Sequence, residues 1–143
     1  MCKRQTLVLV VLALGLSSIG EAQDSRWIRI DRTSQFVLYV DKLRTRPVDS
    51  TTVDAWTSWE FTTPQILIDK RFDRMVSLLR LDCRATRSMQ IEANYYYGKT
   101  FVAHTEPPES LREWASAPSQ SVNETLIIRG CLIARGQPTE PVK

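Results

Sequence analysis

The chain has 143 residues, and its charge is nearly balanced: 19 lysines and arginines against 16 aspartates and glutamates give a formal net charge of +3 at pH 7. So small an excess gives no electrostatic reason to expect a nucleic-acid-binding protein or one that adheres to a membrane surface. The length suits a single domain with one hydrophobic core.

The first 22 residues have the features of a cleavable secretion signal in the expected order. Lys3 and Arg4 supply a positive start, residues 7–16 form an apolar run, and Gly20 and Ala22 place small residues before a cut ahead of residue 23. The apolar run is about half of the ~20 residues that a membrane-spanning helix needs. We therefore predict a signal peptide and not a membrane anchor.

Cleavage there defines three segments: a signal peptide of residues 1–22, a domain of residues 23–133 and a flexible polar tail of residues 134–143. The tail contains Pro138 and Pro141 and is typical of a segment that does not pack. Cys2 precedes the apolar run and leaves with it, so no cysteine is placed to carry a lipid anchor. We expect an exported protein, periplasmic or secreted to the cell surface, with no stable membrane insertion.

Six segments of the domain have the composition of β-strands, bounded by turn-forming residues. They cover residues 27–30, 36–41, 51–61, 74–83, 88–97 and 100–103. The first two are predicted to form a hairpin around Thr33 and Ser34. Residues 42–50, residues 62–70 with Pro64, and the stretch around residues 106–109 are predicted to be irregular connections.

Two of these segments alternate in a way that assigns their side chains to opposite faces of a sheet. In the third segment one face holds Val53, Ala55, Thr57, Trp59 and Phe61, and the other holds Asp54, Trp56, Ser58 and Glu60. In the fifth segment one face holds Met89, Ile91, Ala93 and Tyr95, and the other holds Gln90, Glu92, Asn94 and Tyr96. We expect the more apolar face of each to be covered.

The element that covers it is predicted to be a helix near the end of the chain. Ser121 followed three residues later by Glu124 is a capping box, in which each side chain accepts a hydrogen bond from a free backbone N–H of the first turn. An apolar segment, residues 122–133, follows, and Gly130 or Gly136 can end it. These elements predict an α+β fold: an antiparallel sheet of about six strands with one C-terminal helix packed across one face.

Two cysteines remain after signal cleavage, Cys83 and Cys131. An even number in a small exported domain favours a disulfide, here one that joins the helix to the sheet. Closing a loop of that length would stabilise the fold by about 4 kcal/mol in the chain-entropy model. A metal site and a catalytic thiol are the alternatives, but a metal site needs three or four ligands and the single histidine, His104, lies in a predicted loop.

No residue pattern predicts catalysis or a cofactor. His104 could act as a general base, and Asp41, Asp54, Glu60 and Glu92 could supply a carboxylate pair. The histidine is better explained as a solvated loop residue, and the acids as solvated strand residues. Four arginines could form a patch for acidic or sulfated partners: Arg44, Arg46, Arg84 and Arg87.

The order and spacing of several short patterns resemble the surface-adhesin protein E family of small exported bacterial proteins. The matching positions are Trp27, Tyr39-Val40-Asp41, Arg44, Arg46, Val53, Trp56, Asp82-Cys83, Tyr95-Tyr96-Tyr97-Gly98, Trp114, Pro118, Ser121, Glu124 and Cys131. They cover nearly the whole predicted domain. The resemblance implies a curved antiparallel sheet with a helix on its concave face and a tendency to dimerise.

The resemblance also implies a protein-binding role without catalysis, because the name-giving protein binds host matrix and serum proteins at the bacterial surface. Two features of this chain differ. That protein is lipid-anchored, and its lysine-rich binding segment has no clear counterpart here. A periplasmic interaction domain, a small periplasmic enzyme and a ligand-binding protein remain open alternatives.

Large aromatic side chains are predicted on the face that the helix leaves uncovered. By alternation Trp56 and Tyr96 lie there, and Tyr39 joins them. Clustered exposed aromatics usually mark an interface, so we expect these three residues to form one, with a homodimer favoured over a foreign partner. The alternative is that they pack under residues 62–70 or beside long arginine side chains.

Overall fold

The computed structural model describes residues 26–139, so the predicted signal peptide and residues 140–143 of the predicted tail lie outside the described residues. The elements, in chain order, are β1 Trp27–Arg32, β2 Phe36–Asp41, β3 Arg46–Pro47, β4 Thr52–Leu67, β5 Lys70–Asp82, β6 Arg87–Tyr97, β7 Thr100–Thr105, a 3-10 helix Glu109–Leu111, β8 Ala115–Ser116 and α1 Val122–Ala134. Within residues 26–139 no helix is long and apolar enough to cross a membrane.

The strands form one antiparallel sheet. The longer strands lie in the order β1-β2-β4-β5-β6-β7, while the two-residue strands β3 and β8 pair with β4 and β6. Each longer strand therefore pairs with the next longer strand along the chain. The predicted α+β fold, an antiparallel sheet of six main strands with one C-terminal helix, is confirmed.

The prediction of an irregular connection over residues 62–70 is wrong. β4 continues past Gln65 to a two-residue turn of Ile68 and Asp69, which leads directly into β5. Both turn residues have positive φ, 45° and 66°, as a tight hairpin turn requires. The pairing of β4 with β5 is interrupted just before Gln65, and Pro64 lies in that interruption, where its missing N–H breaks no ladder hydrogen bond.

Helix α1 packs across one face of the sheet, which we call the helix face. Its residues Ile127 and Cys131 form one buried cluster with Val53, Ala55 and Leu81 of the sheet. Its residue Leu126 forms a second cluster with Ile30, Leu38 and Val40. A third cluster is built on β5 and β6 by Phe72, Ala93 and Tyr95.

The predicted Cys83–Cys131 disulfide is confirmed. The two sulfurs lie 2.00 Å apart and the two Cα atoms 6.0 Å apart. Cys83 follows the last residue of β5, and Cys131 lies in the second half of α1. The bond therefore fastens the helix to the end of a central strand, as the sequence suggested.

The start of α1 follows the predicted capping, with a shift in one hydrogen bond. The Glu124 backbone N–H donates to Ser121 Oγ at 3.1 Å. The Glu124 carboxylate accepts from the backbone N–H of Gln120 at 2.5 Å, one residue earlier than the capping box requires. Gln120 has a positive φ of 61°, which turns its N–H toward the helix start.

The end of α1 distinguishes the two candidate glycines. Gly136 has a φ of 65° and follows the last turn, and the N–H of Gln137 donates to the Leu132 carbonyl at 2.9 Å. This is the usual closure of a helix by a left-handed glycine. Gly130 lies inside the helix and is buried, so its interpretation as a stopping point is wrong. The helix also includes Ala134, the first residue of the predicted tail.

A bulge in β6 changes which side chains face the helix. Leu78 pairs with Glu92, but Leu79 pairs with Gln90, so Ile91 is an extra residue in β6. Beyond the bulge Met89 pairs with Arg80 and lies on the face away from α1. The prediction that Met89 shares the helix face is therefore wrong, because the bulge reverses the alternation.

Candidate interaction surface

The face of the sheet opposite α1, which we call the open face, is organised in rows of paired residues. Its central row crosses six strands and contains Arg29, Tyr39, Ser58, Val76, Asn94 and His104. Directly paired residues of antiparallel strands point to the same side of the sheet. Trp56 lies in the row on one side of this central row and Tyr96 in the row on the other. The three predicted interface residues therefore share the open face, and all three are half-buried.

Trp56 is covered by an arginine from the loop after β2. The guanidinium carbon of Arg44 lies 4.4 Å from the centre of the Trp56 ring. Arg44 is held there by a charged hydrogen bond, in which its Nε donates to Asp41 Oδ2 at 2.7 Å. The predicted contact with long arginine side chains is therefore present, but it leaves the ring half-exposed.

Asp41 fixes this corner of the open face. Its side chain is fully buried and also accepts a hydrogen bond from Arg26 Nε at 2.7 Å and from the backbone N–H of Leu43 at 3.0 Å. Burial by itself would raise the pKa of Asp41, but these hydrogen bonds and those from Arg44 hold the pKa of this carboxyl below its ordinary value. Asp41 is therefore a structural anion and not a free general base.

Tyr96 is stacked in the same manner on the opposite side of the face. The guanidinium carbon of Arg74 lies 4.6 Å from the centre of its ring. On the other flank the Phe101 ring of β7 meets it edge-on, with ring centres 5.9 Å apart. Phe101 is 55% exposed, so this pair leaves an apolar surface in contact with solvent.

Two further stacks of this kind were not predicted from the sequence. Arg87 lies 4.8 Å from the ring centre of Trp114, and Arg26 lies 6.0 Å from that of Trp27. Arg87 Nε also donates to Asp82 Oδ2 at 3.0 Å, which repeats the carboxylate–guanidinium–ring arrangement seen at Trp56. Arg26 and Trp27 are neighbours in the chain, whereas the sequence carries no local signal for the Arg87–Trp114 stack, because ring and cation lie on different segments.

This arrangement changes the interpretation of the arginine patch. Arg44 and Arg87 are each paired with a carboxylate, whereas Arg46 and Arg84 are exposed at separate places, on β3 and after β5. The four arginines therefore do not act as one uncompensated positive patch. A sulfated or strongly acidic partner finds less charge here than the sequence suggested.

The four candidate acids are not assembled as a carboxylate pair, but Glu92 and the candidate base His104 lie together, with their possible ligand atoms within 4.8 Å of one another. Asp54 is bound by Arg80, whose Nε and Nη2 donate to its two carboxylate oxygens at 2.8 and 3.0 Å. Glu60 is exposed and lies in the row that contains Tyr96, three rows away from Asp54. The prediction that His104 lies in a loop is wrong, since it belongs to β7 and pairs with Asn94.

A shallow pocket of about 370 Å³ lies between the start of β2 and the second half of β4, beside Phe36 and Phe61. Its lining residues are Gln35, Phe36, Phe61, Thr62, Thr63 and Gln65. None of these side chains ionises near neutral pH, so the pocket contains no acid-base pair for catalysis.

Fold and surface together define a small disulfide-bonded α+β protein with one sheet face covered by a helix and the other carrying stacked arginine and aromatic side chains. The family model of surface-adhesin protein E matches residues 27–132, and the chain belongs to this family. It is accordingly a surface-adhesin-like protein. A comparison with curated proteins gives no significant match.

Solved structures of protein E from Haemophilus influenzae have the same fold. One crystal form is 12% identical to this chain, with a TM-score of 0.55 over 78% of this chain and 89% of that one. A second structure is 14% identical, with a TM-score of 0.52 over 78% and 86%. At such low identity the likeness establishes the fold alone.

Proposed function

We propose that the chain is an exported protein-binding module whose open face is its interface, and that the first partner of this face is a second copy of the chain. The observation that carries the proposal is the set of guanidinium–ring stacks on a sheet face that no helix or second sheet within residues 26–139 covers. Trp, Tyr and Arg are the residue types that contribute most to binding energy at protein interfaces.

The exposed apolar area of this face supports the proposal. Around the stacks lie half-buried apolar side chains from β2, β5 and β6, with exposed Phe101 of β7 at the edge: Val37, Val76, Leu78 and Met89. A soluble protein rarely leaves such a contiguous surface in water, since burying it in an interface is favourable.

The choice of a second copy rests on the charges of the face. A two-fold contact needs a surface that complements itself. The open face carries cations such as Arg74 and Arg29 together with anions such as Glu60 and Glu92. Two copies related by a two-fold axis can therefore bring opposite charges together, and the near-neutral chain does not oppose the approach.

Export is part of the proposal. The predicted signal peptide of residues 1–22 would be removed, and the chain would act in the periplasm or at the cell surface. Cell fractionation with N-terminal sequencing checks this part, with Gln23 as the expected first residue. A host matrix or serum protein is the second partner class, in keeping with the family, and a periplasmic protein the third. The proposal assigns no catalytic residue.

The test is the double variant Trp56→Ala with Tyr96→Ala, studied by light scattering and circular dichroism. Each truncation removes a large ring from the interface, and we expect a loss of about 2 kcal/mol of association free energy at each position. The matched control is Tyr97→Ala, the same residue type one position later, where the side chain points to the other face.

The proposal predicts that the wild type and the control associate equally while the double variant is a folded monomer. A wild type that stays monomeric at high concentration would refute the homodimer. If the folded double variant also kept wild-type binding to matrix and serum proteins, the open face would be excluded as the interface.

A further inference from the structure

A second cluster with its own chemistry lies at the β6–β7 edge of the open face. Glu92 and Asn94 are alternate residues of β6, and His104 pairs directly with Asn94. Glu106 follows β7 at the same alternate spacing from His104. The possible ligand atoms of Glu92, His104 and Glu106 all lie within 4.8 Å of one another.

Asn94 fixes the orientation of the imidazole. His104 Nδ1 lies 2.9 Å from Asn94 Oδ1. A carboxamide oxygen can only accept a hydrogen bond, so in this arrangement Nδ1 is the donor and Nε2 is the ring nitrogen available to a metal. Nε2 faces Glu106 Oε2 at 3.7 Å. A metal-binding histidine is commonly held in this way, by a hydrogen bond from its second ring nitrogen.

Among residues 26–139, few cations compensate the two carboxylates of the cluster. Glu92 and Glu106 occupy the positions next to the paired residues Ala93 and Thr105, so they face each other across the two strands. Like charges at such positions destabilise a sheet. Arg112 approaches one oxygen of Glu106, but only at 3.4 Å, and it leaves Oε2 turned toward the imidazole. A cation between the two carboxylates would remove the repulsion.

We propose that Glu92, His104 and Glu106 bind a zinc ion, with Asn94 as the positioning residue of the histidine. Donor atoms around a tetrahedral zinc ion at about 2.0–2.2 Å lie about 3.4 Å apart, close to the present separation of His104 from Glu106. Small side-chain rotations bring the third donor within that distance. An imidazole with two carboxylates favours zinc over calcium and magnesium, which prefer oxygen ligands alone.

The site has three protein ligands on an exposed edge, so solvent completes the coordination. Three ligands with one open position can also accept a donor atom from another molecule. This inference goes beyond the proposed function and does not depend on it, because all three ligands come from one chain.

The test uses the exported chain, purified without a polyhistidine tag and titrated with zinc sulfate in a calorimeter. The proposal predicts one saturable site in the wild type, its loss in His104→Gln, and no saturable heat with magnesium or calcium chloride. Glu92→Gln should weaken zinc binding, and Glu60→Gln is its matched control, since it removes one negative charge from the same face outside the cluster and should bind zinc as the wild type does.

Asn94 gives a sharper test of the geometry. Asn94→Ala should weaken zinc binding about 10- to 100-fold, and Asn94→Asp, which keeps an acceptor oxygen, should restore it. In nitrogen NMR spectra zinc should shift His104 Nε2 and leave Nδ1 protonated. Circular dichroism shows that each variant is folded. The proposal is overturned if the wild type has no saturable site, or if folded His104→Gln binds zinc with unchanged affinity.

Discussion

Gly130 provides a test of how closely α1 packs on the sheet, and it sets two physical effects against each other. In an exposed helix, replacing glycine by alanine stabilises by about 1 kcal/mol, because glycine loses more backbone entropy. At Gly130, however, an added Cβ would lie 2.6 Å from Leu81 Cδ1 and 4.0 Å from Ala55 Cβ. The first distance is well inside van der Waals contact, so Gly130→Ala requires a movement in the core.

The expected loss of stability in Gly130→Ala depends on how little the residues around Gly130 can move. Leu81 is fully buried between Val53, Ile127 and Cys131, and α1 is fastened to the sheet one residue after Gly130 by the disulfide. Overpacking a core costs typically 1–3 kcal/mol. Subtracting the propensity gain of ~1 kcal/mol leaves a net destabilisation of about 1 kcal/mol for Gly130→Ala. Helix propensity alone predicts that Gly130→Ala stabilises the protein.

Urea unfolding of the oxidised protein, followed by circular dichroism, measures this difference. The expected result for Gly130→Ala is a lower midpoint with an unchanged slope. Combining it with Leu81→Ala removes the clashing atom, so the double variant should be more stable than the sum of the two single changes predicts. A Gly130→Ala protein as stable as the wild type, or more stable, would refute the close packing, as would strict additivity of the two changes.

Two further predictions concern single side chains. Ser121→Ala should lower the unfolding free energy by about 1 kcal/mol, since it removes the acceptor of the Glu124 N–H, and an unchanged midpoint would contradict the cap. Asp41→Asn should lower the unfolding free energy by about 2 kcal/mol at neutral pH, because it removes several charged hydrogen bonds. This value is toward the low end for such a loss, because both arginine partners are more than a third exposed to solvent. The folded-state pKa of Asp41 is lowered, so its contribution is complete above the unfolded value near 3.8 and disappears as the pH falls through the lower folded value. Acid titrations of stability should therefore show a smaller loss below about pH 4 in the variant than in the wild type.

The sequence predicted correctly those features that depend on residues close in the chain. The alternation of β4 placed Val53 and Ala55 under the helix and Trp56 on the other face, as observed. The cap and the cysteine pair were also local or compositional signals. In β6 the same reasoning failed for Met89, because a single extra residue, Ile91, reverses the faces and leaves no mark on the hydrophobic pattern.

Strand ends were harder to predict because pairing partners extend them. Pro64 indicated a break, yet the strand resumes after it, since β5 offers a continuous edge to pair with. His104 lies next to a proline-containing stretch that indicates a loop, but β6 is long enough to hold it in the ladder. The expectation of no metal site depended on that loop. With His104 on β7, cross-strand register brings it beside Glu92 and Asn94, a proximity that no local spacing shows.

The carboxylate–guanidinium–ring stacks give the open face a property that the bare list of its residues lacks. An arginine free in solvent loses much side-chain entropy when a partner immobilises it. Arg44 already lies between Asp41 and the Trp56 ring, and Arg87 between Asp82 and the Trp114 ring. Their planar faces are therefore held in place before any partner arrives. A surface fixed in this way binds with less loss of entropy than a flexible one, which favours recognition over a purely solubilising role for these arginines.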